Sequence, residues 1–201
     1  MTTILIKDFD ITDMKFGADL QTKEGQQISF VSLQMPVIRF PDAMTSTYGI
    51  NPNFQDNDRF PLELLVTPET EQLISKIEDH IQKTFHDNSR TWFKKDKQSF
   101  KFSPLLKITD QGTVIKMKVV ESRTTVKVFT DHGTVQKENG TLKSLNRLCK
   151  VLPFLSANSM WVNTTDHTYG VSLTAKIVVV QPGLEEDVVE SMLLSAGYTF
   201  E

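Results

Sequence analysis

Residues 88–102, with the sequence NSRTWFKKDKQSFKF, combine four aromatic side chains with five Lys or Arg residues and a single acid. Aromatic rings usually pack inside a protein, whereas closely spaced cations require water. An unpaired nucleic-acid strand uses both at one surface, because its phosphates attract cations and its bases stack on aromatic rings. The alternative interpretation is that the four rings belong to the core at the end of a helix.

The charge of the chain is divided into blocks. Residues 1–82 carry 6 basic and 13 acidic side chains, residues 83–150 carry 15 and 6, and residues 151–201 carry 1 and 6. The middle block therefore has a net charge of +9 in a chain whose overall charge is −3. Such a block is typical of a surface that binds a polyanion, although long basic side chains also cover solvated sheet faces.

The basic block and the strands around it supply the candidate contacts to a nucleic acid. Stacking is assigned to Trp92, Phe93, Phe129 and Trp161, of which Phe129 and Trp161 are preferred because they lie on predicted strands. Phosphate contacts are assigned to the basic side chains Lys94, Lys95, Lys97, Lys101, Lys116, Lys118, Arg123, Lys127, Lys143, Arg147 and Lys150.

Most of the chain has the residue pattern of β-strands. Strands are predicted at ILIKDFDI, QISFVSLQMPVIRF and residues 60–66, and then at LLKITD, residues 113–120, RTTVKVFTDHGTV, residues 159–163 and residues 169–180. The stretch FPDAMTSTYGINPNFQDNDRF is rich in Pro, Asn, Asp and Ser, which predicts a long loop. The sequence Asp131-His132-Gly133 predicts a hairpin turn.

One amphipathic helix is predicted to begin at Thr67 and to end near Asn88. Thr67 is a good N-cap, and Pro68 suits the first helical position. The apolar residues at positions 73, 74, 77, 81 and 85 then form one stripe at helical spacing. A second, short amphipathic segment, TLKSLNRLCK, is predicted to turn Leu142, Leu145 and either Leu148 or Cys149 toward the core.

After the first helix, three strands, a short helix and two strands follow in the order of an OB-type barrel. We therefore predict an α+β, mainly β fold, in which one amphipathic helix precedes a five-stranded OB-type barrel. Residues 1–66 are expected to form an N-terminal β extension packed on the barrel, and residues 67–181 the helix and barrel. Residues 182–201 would add an acidic tail or short helix to this single overall domain.

The sequence contains no motif of catalysis. It has no glycine-rich phosphate loop, no HExxH, no GxSxG and no paired cysteines. We predict a protein that is not an enzyme, with no catalytic residue, no metal site and no cofactor. The single Cys149, the absence of a signal peptide and the lack of a long apolar run predict a soluble, intracellular protein without membrane contact.

Residues 67–180 resemble the single-stranded-DNA-binding proteins of large DNA viruses and of T7-type phages. The resemblance is carried by the helix leading into NSRTWFKK, by FSPLLKITDQGTVIKMKVV and TVKVFTDHG, and by SMWVNTTDHTYGVSLTAKIVVV. In the last of these, Trp161 precedes a loop and a Gly-Val-Ser strand at residues 170–172. The resemblance implies an OB-fold that coats exposed strands during DNA replication and recombination with little sequence preference. For a viral chain, it also implies location at the viral replication site of the host cell.

The C-terminal segment has two interpretations. Phage members of that family end in an acidic tail with a terminal aromatic residue, which contacts replication proteins and competes for the DNA groove. This chain ends PGLEEDVVESMLLSAGYTFE, which is acidic and closes on Phe200-Glu201. The positions of Leu184, Val188, Met192 and Leu193 also fit an amphipathic helix that packs on the barrel or makes a homo-oligomer contact.

Two other functions are compatible with a β-rich chain of this kind. One is a virion structural or assembly protein, and the other is an RNA-binding accessory protein. A shell protein does not require a basic block interleaved with aromatic residues, so this block favours nucleic-acid binding. The sequence does not separate DNA from RNA, because proteins sense the 2′-hydroxyl through local geometry.

Overall fold

The computed structural model describes residues 3–22, 27–50, 58–93, 100–129 and 135–181, and for 129 and 135–139 it describes the backbone alone. Within these residues the fold is mainly β, with fifteen strands, one α-helix and short 3-10 helices at 6–8, 11–13 and 142–144. The elements are β1 (Thr3–Leu5), β2 (Lys15–Thr22), β3 (Ile28–Gln34), β4 (Val37–Arg39), β5 (Met44–Ser46), β6 (Arg59–Leu65), α1 (Pro68–Phe93), β7 (Lys101–Phe102), β8 (Leu106–Thr109), β9 (Gly112–Val120), β10 (Thr125–Phe129), β11 (Val135–Asn139), β12 (Lys150–Ser156), β13 (Ser159–Asn163), β14 (Thr168–Val171) and β15 (Thr174–Gln181).

The described strands form two sheets. The larger has ten strands in the order β1-β4-β12-β5-β6-β9-β15-β10-β11, with β8 paired to β9, and the smaller has the order β2-β3-β13-β14-β7. In the larger sheet β12 pairs with both β5 and β15, so the pairings β12-β5-β6-β9-β15-β12 close into a ring. The prediction of a mainly β fold with one helix is confirmed. The predicted number of five strands is too small for the larger sheet. Beyond the ring, β1 and β4 extend this sheet next to β12, and β10 and β11 extend it next to β15.

The strands of the first 66 residues are interleaved with later strands. β5 and β6 lie between β12 and β9 in the larger sheet, and β3 lies between β2 and β13 in the smaller one. These residues were expected to be an extension packed on a finished barrel, but they form part of both sheets. The stretch predicted as a long loop contains β5, whose three residues are too few to show a strand periodicity. Its pairing with β6 and β12 defines it instead.

Helix α1 begins as predicted and ends later than predicted. The backbone N–H of Thr70 donates to Oγ1 of Thr67 at 3.3 Å, which is the expected N-cap contact. Toward the other end, the buried face continues from Phe85 through Ser89 to Trp92, so core packing extends the helix to Phe93. Within the described residues, no helix is both long enough and apolar enough to cross a membrane.

The segment before β12 is a single 3-10 turn at Leu142–Ser144 rather than the predicted short helix. Leu145 and Cys149 are buried as predicted, whereas Leu148 has a left-handed backbone with φ of 61° and is 56% exposed. This reversal of the backbone explains why no regular helix continues to Cys149. Burial raises the pKa of the Cys149 thiol to about 11, which keeps it protonated and unreactive at neutral pH.

Glu78 connects the middle of α1 to the chain entering β8. Its half-buried carboxylate accepts the backbone N–H groups of Leu105 and Leu106, the latter at 3.1 Å. We expect Glu78→Ala to lower the free energy of unfolding by about 2 kcal/mol, because both N–H groups lose their acceptor. Glu78→Gln keeps an acceptor oxygen, so its free energy of unfolding, measured by urea denaturation, should fall by less than half as much as that of Glu78→Ala. Equal losses in the two variants would contradict this role.

Candidate nucleic-acid interface

A groove of about 830 Å³ runs between the smaller sheet and the ring of the larger sheet. One wall comes from β3 and β13, and the other from the start of β6, the end of β9, the turn after β9 and the start of β15. The groove is lined by Ile28, Phe30, Asp58, Arg59, Lys118, Val120, Arg123, Asn158, Ser159, Trp161, Ser172, Thr174 and Lys176. It therefore depends on strands from both halves of the chain.

Two aromatic rings form the wall on the smaller sheet. Phe30 and Trp161 are directly opposite each other in the antiparallel β3–β13 pair, and both are half-buried. Their neighbours Val31, Met160 and Val162 are fully buried, because successive strand residues point to opposite faces. One face of this pair of strands thus packs in the core, and the opposite face, which carries the two rings, borders the groove.

Gly170 fixes the space available to the Trp161 ring. It is the partner of Trp161 on the opposite side from Phe30, in the β13–β14 pair. A Cβ atom at position 170 would lie 2.8 Å from Cζ2 of the indole, so only glycine lets the ring lie against the β14 backbone. The indole therefore lies against the β14 backbone at Gly170.

Four basic side chains line the groove: Arg59, Lys118, Arg123 and Lys176. Lys118 alternates along β9 with the buried Met117 and Val119, which places its side chain on the outer face. Among the described residues, the lining has one acidic residue, Asp58, whose carboxylate accepts a hydrogen bond from Oγ of Ser122. The lining thus carries a net positive charge opposite the two rings, in a chain whose overall charge is negative.

A smaller pocket of about 170 Å³ continues the groove past the indole. Trp161, Lys118 and Ser172 line both spaces, so the two spaces adjoin. The pocket is also lined by Lys116, by the hydroxyl-bearing Ser103 and by the buried residues Leu105, Met117, Val171 and Leu173. We call the two adjoining spaces the path; cations line both of them, and Trp161 is common to both.

The chain is similar in fold to two bacteriophage proteins. One is gp2.5, a single-stranded DNA-binding protein encoded by bacteriophage T7, with 13% identity over 79% of this chain and 96% of that chain and a TM-score of 0.47. The other is the single-stranded DNA-binding protein of bacteriophage Enc34. Its C-terminally truncated form gives 12% identity, 83% and 96% coverage and a TM-score of 0.46. The structure of its complex with single-stranded DNA gives 13% identity over 83% of this chain and 96% of that chain, with a TM-score of 0.44. No protein-family model and no curated protein sequence matches the chain.

The groove contains some of the residues predicted from the sequence. Lys118, Arg123 and Trp161 line it, and Lys116 lines the adjoining pocket. Lys101 is exposed on β7, and Lys127 is half-buried on β10, and neither lines the two spaces. Lys94, Lys95 and Lys97 lie outside the described residues, and Phe129 is described by its backbone alone.

Three further predicted cations lie at the opposite end of the larger sheet. Lys143, Arg147 and Lys150 are exposed on the segment that leads into β12 and on its first residue. The groove borders the other end of β12, at Asn158. Six strand steps, at about 3.3 Å each, separate the two ends by roughly 20 Å. Lys150 therefore lies roughly 20 Å from this end of the groove, and none of the three residues lines it.

Trp92 and Phe93 belong to an aromatic cluster at the end of α1, which favours the alternative interpretation that these rings belong to the core. Trp92 is 6% exposed, and its Nε1–H donates to the carbonyl of Gly17 at 3.3 Å. Phe93 stacks on Phe100 with ring centroids 5.0 Å apart, and both rings contact Phe85. The continuation of α1 to Phe93 turns Trp92 toward the core. The aromatic residues of the 88–102 motif thus pack in or against the core.

Sequence reasoning missed one aromatic ring and two cations of the groove: Phe30, Arg59 and Lys176. Phe30 could have been found from its strand, because it alternates with the more apolar Val31 and Leu33 and so falls on their opposite face. Lys176 is the single basic residue of positions 151–201 and interrupts an apolar strand. Arg59 gave no comparable local signal, since its position depends on the pairing of β6 with β9.

Within the described residues, no group of three His, Cys, Asp or Glu side chains could hold a metal ion. The histidines in this part of the chain also lie apart from one another. His80 lies on α1 beside Phe16, with ring centroids 6.2 Å apart, and burial lowers its pKa. His167 lies near Phe100 at 5.4 Å. Neither lines the groove, so the groove offers cations, hydroxyls and rings as its chemistry.

Proposed function

We propose that the protein binds single-stranded DNA in the groove, with little sequence preference, and coats exposed strands during DNA replication and recombination. The observation that carries the proposal is the cross-strand pair of Phe30 and Trp161 on one wall, with four basic side chains around it. Aromatic rings stack on unpaired bases, and cations neutralise the phosphates on the same strand. In a duplex the bases already stack on each other, so recessed rings favour a single strand.

The composition of the lining also supports binding that is independent of sequence. Every base has a π-face, so stacking on Phe30 and Trp161 tolerates any base. Contacts from Arg59, Lys118 and Arg123 to phosphates carry no sequence information directly. Binding of this kind requires no bond to be made or broken, and we propose that the protein has no catalytic activity of its own.

The closed ring of strands β12-β5-β6-β9-β15 supports an OB-type barrel as the scaffold of the groove. OB-folds bind oligonucleotides across one face of such a barrel. The path past Trp161 reaches Ser103, two residues after Lys101 on β7. We propose that Lys101 and the basic residues that precede it in the sequence, Lys94, Lys95 and Lys97, contact the strand beyond this path. Phe129 and Lys127 contact it outside the groove.

The proposal is tested by fluorescence anisotropy with labelled oligo(dT), oligo(rU) and a duplex of equal length. We expect the tightest binding to oligo(dT), with affinity falling steeply from about 50 to about 200 mM salt. Four phosphate contacts in the groove predict a log–log salt slope of roughly −3, at about −0.7 per contact on a single strand. Tighter binding to oligo(rU) would assign RNA as the ligand. A lack of binding to either oligonucleotide at low salt would overturn the proposal.

A further inference from the structure

A second exposed surface combines apolar and basic side chains at the end of the larger sheet that lies away from the groove. It consists of Tyr48, which is 68% exposed, Leu148, which is 56% exposed, and the exposed cations Lys143, Arg147 and Lys150. We call these five residues the distal patch. Large apolar side chains that are exposed beside clustered charges are typical of an interaction site.

The distal patch is built on two loops that hydrogen bonds hold together. The backbone N–H of Leu148 donates to the carbonyl of Ser46 at 3.1 Å, and the N–H of Ser46 donates to the carbonyl of Cys149 at 2.9 Å. The N–H of Ile50 donates to the carbonyl of Leu145 at 2.8 Å. Tyr48 therefore lies on a loop bound directly to the segment that carries Arg147 and Leu148.

The backbone at Leu148 holds its side chain outward at a cost. Its φ of 61° is a left-handed conformation, which residues with a Cβ atom rarely adopt. The adjacent Cys149 is fully buried, so the reversal places one residue in the core and the other in solvent. Strained backbone conformations persist where surrounding contacts over-determine them, and they are concentrated at functional sites.

The sequence that follows β15 has the properties that complement the distal patch. Gln181, the last residue of β15, is the direct pairing partner of Lys150. The next 20 residues, 182–201, contain five acidic and no basic side chains, together with the apolar residues Leu184, Val188, Val189, Met192, Leu193 and Leu194. This acidic and apolar segment thus starts beside a basic and apolar surface. A short connection of this kind gives an effective concentration in the millimolar range.

We infer that the distal patch binds the chain's own segment 182–201, with the acidic side chains on Lys143, Arg147 and Lys150 and the apolar ones on Tyr48 and Leu148. This contact is independent of the proposed binding of single-stranded DNA. It holds five negative charges at the end of the sheet farthest from the basic groove, where they do not repel a bound strand. The distal patch then has a role other than the phosphate contacts that its three cations were predicted to make.

Zero-length carbodiimide cross-linking of the full-length protein, followed by peptide mass spectrometry, tests the inference. We expect intramolecular links from Lys143 and Lys150 to the carboxylates at positions 185–190. An equimolar mixture of unlabelled and nitrogen-15-labelled protein shows whether links join two copies. Links mainly between two copies, links mainly to Lys116, Lys118 or Lys176, or no link to the distal patch would each overturn the inference.

A charge-reversed variant gives a second readout that does not depend on lysine chemistry. In Arg147→Glu/Lys150→Glu, the segment should be released, and Glu-specific protease should cleave after Glu185 and Glu190 at least tenfold faster than in the unmodified protein. The matched control is Lys83→Glu/Lys107→Glu, which changes the charge equally at exposed positions on α1 and β8. Equal cleavage rates in the two variants would overturn the inference, whatever their affinity for oligo(dT).

Discussion

Replacing Trp161 with alanine is expected to lower the affinity for oligo(dT) by roughly 5- to 150-fold, which corresponds to the 1–3 kcal/mol that one stacked base contributes. Trp161 lines both the groove and the adjoining pocket, so its loss removes a ring from the centre of the proposed path. Because stacking involves no counterion, the loss should be nearly the same at about 50 and about 200 mM salt. Fluorescence anisotropy measures both affinities directly.

The matched control for this prediction is Ile108→Ala. Ile108 is 84% exposed on β8 and lies outside both lining sets, so the loss of its side chain should leave the affinity unchanged. Phe30→Ala should weaken binding as well. Combined with Trp161→Ala, it should show a coupling energy, because the two rings are cross-strand partners. An affinity of Trp161→Ala within twofold of the unmodified protein would contradict the proposed stacking role.

Intrinsic fluorescence separates the two tryptophans of the chain. Trp92 is buried in the cluster at the end of α1, whereas Trp161 is half-buried in the groove. We therefore expect oligo(dT) to quench the fluorescence of a Trp92→Phe variant and to leave that of Trp161→Ala nearly unchanged. The opposite result would assign the base contacts to the end of α1.

The start of the helix and several of the strands were predictable because their signals are local, whereas β2, β5, β7 and β12 were not predicted. Thr67 and Pro68 mark the start of α1, and the alternation of Lys116, Met117 and Lys118 marks β9. The end of α1 was not predictable from the same signals. Core contacts of Trp92 with Phe85, 6.0 Å between ring centroids, and with Gly17, 75 residues away, extend it to Phe93. Long-range packing of this kind leaves no mark within a short window.

The groove was predictable in its chemistry and only partly in its residues. The basic block contains Lys118 and Arg123, which both line the groove. Lys118 does so because a solvated cation on a strand lies on its outer face, and Arg123 because the turn after β9 borders the groove. Arg59 and Phe30 come from strands that were predicted to belong to an N-terminal extension. Their positions depend on the pairings of Arg59 with Val120 and of Phe30 with Trp161, which are 61 and 131 positions apart. Register between distant strands is set by the whole fold.

The double variant Lys118→Gln/Arg123→Gln is expected to bind oligo(dT) roughly 70-fold more weakly at about 50 mM salt and about tenfold more weakly at about 200 mM salt. These values follow from two lost phosphate contacts, at a log–log slope of about −0.7 each on a single strand. The salt slope itself should become shallower by about 1.4. The variant keeps both exposed side chains polar, so its stability should change little.

Lys83→Gln/Lys107→Gln is the matched control, since it removes two positive charges from exposed positions outside the groove. If the salt slope of the control becomes shallower by as much as that of the groove variant, then the net charge of the protein, rather than the groove, governs binding. Salt dependence also separates the two walls. The loss caused by Lys118→Gln/Arg123→Gln should shrink as salt rises, whereas the loss caused by Trp161→Ala should persist. A groove that binds a strand through phosphates on one wall and bases on the other must show both behaviours.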